Sequence, residues 1–79
     1  MIQIFITGGT FDKSYNYING ELFFEKTHLP EMLKRSRCQL DLKIETLMMI
    51  DSLEMNDSHF EKIISKCKNC NTDKIIITH

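Results

Sequence analysis

The chain has 79 residues, 42% of them hydrophobic and 27% charged, with a formal net charge of −1. That is room for one small globular domain. A balance this close to neutral excludes the basic field of a nucleic-acid binder and the polybasic patch of a membrane-surface protein.

Residues 2–6, Ile-Gln-Ile-Phe-Ile, form the first apolar run. It is the length of a strand and lacks the basic flank and cleavage site of a signal peptide. No run in the chain reaches membrane-spanning length. Three cysteines, Cys38, Cys67 and Cys70, are an odd count that argues against a secreted disulfide scaffold. A cytoplasmic protein is the expectation.

Thr7-Gly8-Gly9-Thr10 then turns the chain. It is not a dinucleotide fingerprint, which needs a helix directly after the turn, nor a phosphate-binding loop, which ends Gly-Lys-Ser/Thr. Residues 15–18 and 21–24 flank Asn19-Gly20, the signal for a two-residue type I′ hairpin. One of Tyr15 and Tyr17 is expected to pack across it on Phe23 or Phe24. A short helix follows, with Leu29, Met32 and Leu33 on one face, Pro30 in its first turn and Glu31 four residues before Arg35.

Residues 40–50 alternate through Leu42, Ile44 and Thr46 and then run continuously from Leu47 to Ile50. Near-continuous runs of this kind read as strands buried on both faces. Phe60, Ile63, Ile64 and Cys67 give the helical spacing of an amphipathic helix, with Ser58 to Glu61 as its capping box and Lys66 and Lys68 at its carboxyl end. Residues 69–73 read as a loop and residues 75–77 as a third strand.

The order is therefore β, hairpin, α, β, α, β. Right-handed crossovers place the three long strands parallel in one sheet. Two helices cover such a sheet incompletely, and a fourth element is expected after the third strand. The expected fold class is α/β: a three-layer, flavodoxin-like, doubly wound parallel sheet with an inserted β-hairpin, of which residues 1–79 are the N-terminal half.

In such sheets ligands bind at the carboxyl ends of the strands. Those ends carry Gly9 and Thr10, Asp51 and Ser52, and Thr78 and His79. Two readings stand side by side. The small hydroxyl residues and glycines serve a ligand site, or Gly-Gly merely turns the chain while Ser52 and Thr78 bond local backbone. No metal and no cofactor is expected. Cys67 and Cys70 lack a second ligand pair, and Cys67 suits a helix core. His28 and His59 read as surface or capping residues.

Three blocks then carry a resemblance. Ile6-Thr7-Gly8-Gly9-Thr10 resembles the first signature of the L-asparaginase/glutaminase family. Asp51-Ser52-Leu53-Glu54-Met55-Asn56-Asp57 resembles its second block, and Ile75-Ile76-Ile77-Thr78-His79 the lead-in to its third. Order and spacing agree over nearly the whole chain, and Thr27-His28-Leu29-Pro30 is similar to a small bacterial-type subgroup.

The resemblance implies an amidohydrolase acting on the side-chain amide of L-asparagine. Thr10 takes the position of the nucleophile, and Tyr15, with Tyr17 second, that of the lid tyrosine that activates it. Ser52 takes the position of the serine that holds the substrate α-carboxylate, and the amides around Gly9 and Thr10 are candidate oxyanion donors. Leu53 stands where the family often has a glutamine that contacts the α-amine. The family's second threonine, aspartate and lysine would follow His79, so residues 1–79 alone are expected to be inactive, and unstable or oligomeric. The partner would be the rest of the same protein or further copies of the chain. Two alternatives remain: an asparaginase-like subunit of a tRNA-dependent amidotransferase, and a non-catalytic module that binds a small amino acid or a partner.

Overall fold

The computed structural model of the chain describes residues 1–24 and 26–79. Its elements are β1 (Ile2–Gly8), β2 (Lys13–Asn16), β3 (Glu21–Phe24), α1 (Leu29–Arg35), β4 (Leu42–Ile50), α2 (Asp57–Lys68) and β5 (Ile75–Thr78). They form a mixed α/β structure with a three-stranded parallel sheet, order β4-β1-β5, and a separate antiparallel sheet of β2 and β3.

β1 is the central strand because its residues are the ones that bury. Ile4, Phe5 and Ile6 are almost wholly inaccessible. Its neighbours pair in parallel on both sides, Ile4 opposite Ile44 of β4 and Ile76 of β5. Alternation sends Ile2, Ile4 and Ile6 to one face and Gln3, Phe5 and Thr7 to the other. Leu29 and Leu33 of α1 pack on Ile4 and Ile6, with Leu42, Ile44 and Met49 around them. On the opposite face Glu45, in register with Phe5, reaches Lys66 of α2 at 3.1 Å. Each helix therefore takes one face.

The expectation that all three runs are buried on both faces holds for β1 alone. In β5, Ile76 and Ile77 remain 49% and 47% exposed. An outer strand has a neighbour on one edge only, and α2 covers its face thinly: no residue of α2 is fully buried. Phe60 and Ile64 stay about half exposed while Ile63 and Cys67 turn inward. Two lysines hold α2 in place, Lys62 donating to the Leu47 carbonyl at 2.8 Å and Lys66 to Glu45.

The capping box of α2 lies two residues earlier than Ser58 to Glu61. Asn56 is the N-cap; its side chain accepts from the Ser58 amide, and His59 Nδ1 accepts from the Asn56 amide at 3.0 Å. Asparagine caps as well as serine does, and the earlier start brings Asp57 into the first turn, where the helix dipole favours it. In α1, Met32 is 48% exposed and stands off the face that Leu29 and Leu33 share. α1 ends on paired bonds, the Cys38 amide to the Leu33 carbonyl and the Arg37 amide to the Lys34 carbonyl. Arg37 takes the left-handed conformation (φ 55°) that this ending requires.

The hairpin also differs from expectation. Asn16 faces Glu21, so the strands are joined by residues 17–20 and not by Asn19-Gly20 alone. Asn16 and Asn19 build this longer turn. Their side chains accept from the amides of Ile18 and Glu21, and the Gly20 amide donates to the Asn16 carbonyl. The register places Tyr15 opposite Leu22, not a phenylalanine, and Tyr15 meets Tyr17 edge to face with centroids 5.1 Å apart.

Candidate active site

Two glycines bring the carboxyl ends of the parallel strands together. Gly8 pairs with Ile50 after a register shift in β1, and a Cβ there would stand 2.6 Å from the Ile50 nitrogen. Gly9 has φ 73° and ψ −175°, a region open in practice only to glycine. A Cβ on Gly9 would stand 2.4 Å from the His79 carbonyl carbon. The end of β1 thus passes between the ends of β4 and β5 at a distance that no side chain permits. A Gly9 amide bond to the Ile50 carbonyl, 3.0 Å, fixes it there.

Thr10 opens a single 3-10 turn, Thr10–Asp12, and is exposed. Ser52 opens a second such turn, Ser52–Glu54, directly after β4, and is also exposed. Neither hydroxyl bonds another described residue, so both are available to a ligand. Asp51 caps the second turn, accepting from the Leu53 amide at 3.2 Å.

Of the expected oxyanion donors, Gly9 is withdrawn: its amide is already committed to Ile50. The amides of Thr10 and Phe11 head the 3-10 turn and bond no described residue. Tyr15 is half exposed, and its hydroxyl lies 3.6 Å from where a side chain on Gly20 would begin. That is the tip of the hairpin, and among the described residues no hydrogen bond joins Tyr15 to Thr10. Tyr17 is 89% exposed beside it. Leu53 is 94% exposed, an apolar side chain with nothing packed over it.

Five residues to which the motif reading gave no role, Asp12, Lys13, Asp51, Thr7 and His79, hold these loops. Asp12 is fully buried, and its Oδ1 accepts from the Thr27 hydroxyl at 2.8 Å and the His28 amide at 2.9 Å, while its Oδ2 is buried without a partner among the described residues. This ties the turn after Thr10 to the entrance of α1. Lys13 and Asp51 form an ion pair between the foot of the hairpin and the end of β4. The Lys13 hydrogen bond, with that of the Leu53 amide, holds the Asp51 carboxyl below the usual aspartate range. Thr7, buried in β1, bonds both the Thr78 carbonyl and the ring of His79. The available signal was position: Lys13 and Asp12 follow the Gly-Gly-Thr turn within three residues, and Asp51 and His79 each follow a strand.

Among the described residues no three His, Cys, Asp or Glu side chains gather to hold a metal ion. Likewise no helix there is long and apolar enough to cross a membrane. No protein-family model matches the chain, and no curated protein matches it.

Proposed function

We propose that this chain carries the nucleophile side of an amidohydrolase of the asparaginase kind, which hydrolyses the side-chain amide of L-asparagine to L-aspartate and ammonia. The observation that supports this reading is the meeting of three hydroxyl-bearing strand ends at one edge of a parallel sheet, with Thr10 and Ser52 both exposed and their hydroxyls without a partner among the described residues. In the proposed reaction Thr10 attacks the amide carbon, and the Thr10 and Phe11 amides face the developing oxyanion. Ser52 holds the α-carboxylate. Tyr15 would have to swing from the hairpin tip to assist. The sheet would be completed into a flavodoxin-like doubly wound domain by residues beyond His79, or in an assembly of copies of the chain.

The test is ammonia release from L-asparagine by the full product of the gene, with Thr10→Ala alongside. The substitution is expected to lower the rate by about 10³-fold or more and to leave the unfolding transition in place, because Thr10 is exposed. Equal rates would remove Thr10 from the nucleophile's role.

One observation favours a second reading. Leu53 offers no polar group to a substrate amine, and the Tyr15 hydroxyl lies beside Gly20 at the hairpin tip. A module that binds a small amino acid without turning it over fits both. Calorimetric binding of L-asparagine or L-aspartate with no ammonia release would select it.

A further inference from the structure

Thr7 is 1% exposed, and its hydroxyl has two neighbours, the Thr78 carbonyl oxygen at 2.6 Å and His79 Nδ1 at 3.0 Å. A hydroxyl owns one proton, and a carbonyl can only accept. The Thr7 proton therefore goes to Thr78. Toward His79 the Thr7 oxygen is the acceptor, so Nδ1 must carry a proton. In a neutral imidazole the other nitrogen, Nε2, is then bare. Buried Thr7 sets the tautomer of an exposed histidine.

The ring is also placed. Its Cγ and Cδ2 atoms would each lie 2.9 Å from a Cβ on Gly9, so that edge of the imidazole rests against the turn before Thr10. Nδ1 is bonded to Cγ and Nε2 to Cδ2, so the two nitrogens flank that edge, and Nε2 is the one that Thr7 leaves free. It has no hydrogen-bond partner among the described residues.

Resting on the amidohydrolase reading above, we propose that His79 is the proton acceptor of this site, locked as the Nδ1–H tautomer by Thr7 and offering its bare Nε2 to the Thr10 hydroxyl, directly or through one water. The proposal supplies the base that Tyr15, at the hairpin tip, does not provide in this arrangement. As the Thr10 oxygen bonds to the amide carbon, its proton passes to Nε2. The imidazolium returns that proton to the amide nitrogen as the carbon–nitrogen bond breaks and ammonia leaves. Water then attacks the acyl group and gives its proton to Nε2, which passes it to the Thr10 oxygen as aspartate is released. Charges near the ring are Asp51 after β4 and Lys13 at the hairpin foot, already paired with each other. Thr7 on β1 and Thr78 on β5 are neutral.

Nitrogen-15 NMR of the full chain reads the tautomer directly, through two-bond couplings in the imidazole. The expected result is a neutral His79 ring protonated at Nδ1; a ring protonated at Nε2 overturns the proposal whatever the protein's activity. Kinetics supply the second arm. His79→Asn puts an amide N–H where Nδ1–H stood, keeps the bond to Thr7 and removes the acceptor. Its kcat for L-asparagine hydrolysis is expected to fall about 10²–10⁴-fold, with KM little changed and the acidic limb of the pH profile lost. Wild-type kcat with that limb intact overturns the proposal. An Nδ1–H ring in a protein that releases no ammonia from L-asparagine overturns instead the amidohydrolase reading, and the acceptor's role with it.

Discussion

The parallel sheet on one side of Thr10 is joined by backbone: β1 bonds β4 and β5 along its length, and the Gly9 amide extends the ladder to Ile50. The hairpin on the other side pairs only with itself. Its tip residues Tyr17 and Ile18 are almost fully exposed, and Leu22 and Phe23 are about half exposed. Among the described residues, its foot is tied to the rest of the fold largely by side chains, Asp12 through Thr27 and His28, Lys13 through Asp51, and the His28 ring through the Lys13 carbonyl at 3.4 Å. Thr10 sits at the border. Its backbone position is set by the rigid side, and whatever closes over it belongs to the hanging side, held at its foot mainly through Asp12 and Asp51. Perturbing the sheet should therefore unmake the turn, whereas perturbing the carboxylates should loosen the hairpin and spare the sheet.

The largest effect is expected on the rigid side, from Gly9→Ala. A left-handed backbone costs an L-residue about 1–2 kcal/mol. The new Cβ would also stand 2.4 Å from the His79 backbone, an overpacking of about 1–3 kcal/mol. Urea unfolding should show a loss of about 2–5 kcal/mol, the sum of the two. A change within about 0.5 kcal/mol, the range of an ordinary surface substitution, would mean that the sheet edge yields as a loop does.

Asp12→Ala comes next and acts on the hanging side. It strands the Thr27 hydroxyl and the His28 amide, two donors at 2.8 and 2.9 Å from one buried oxygen. Each net bond is worth about 1 kcal/mol, and a buried unpaired donor costs about 1–3 kcal/mol, so a loss of about 2–3 kcal/mol is expected. Amide chemical shifts should move over residues 13–28 and stay in place over β1, β4 and β5. Shifts spreading evenly through the sheet would end the distinction between the two sides.

How far each side was legible follows the same division. The sheet could be read from sequence because β1, β4 and β5 are runs of β-branched and apolar residues whose periodicity survives into the fold, and α1 and α2 because apolar spacing marks them as helices, although Met32, Phe60 and Ile64 of that spacing stay about half exposed. The hairpin's existence was legible from Asn19-Gly20, but its register was not. Asn16 and Asn19 each spend a side chain on a backbone amide and so lengthen the turn, a choice that no two-residue signal contains. The strand ends were legible as a place, since Thr10 and Ser52 follow apolar runs. The groups that secure that place were not. Asp12, Lys13 and Asp51 act through partners 15 to 38 positions away, and only folding brings such pairs together. Burial of outer strands was overstated for the same reason, since an apolar run does not report how much helix lies over it.

The smallest effect sharpens the comparison most, because it adjusts the hanging side without deleting any packing. Asp51 titrates below its ordinary value of 3.8, chiefly through the Lys13 hydrogen bond. A carboxyl whose folded value is depressed contributes stability that is fully present above its unfolded value and is lost as pH falls through the folded one. Wild type should therefore be more stable than Asp51→Asn by a constant margin from neutral pH down to about pH 5. The margin should shrink below 3.8 and vanish once the native carboxyl is protonated. Lys13→Met should remove the same increment, and the double variant little more than either single one, because the two changes delete one interaction. The side chains are partly open to solvent, 16% and 34% exposed, so added salt should weaken the margin as well. Urea titrations of the four proteins across pH measure all of this. A margin that persists undiminished at the most acidic point would show that Asp51 acts by capping the turn after β4 and not through Lys13, and the hairpin foot would then be held by Asp12 and the His28 ring.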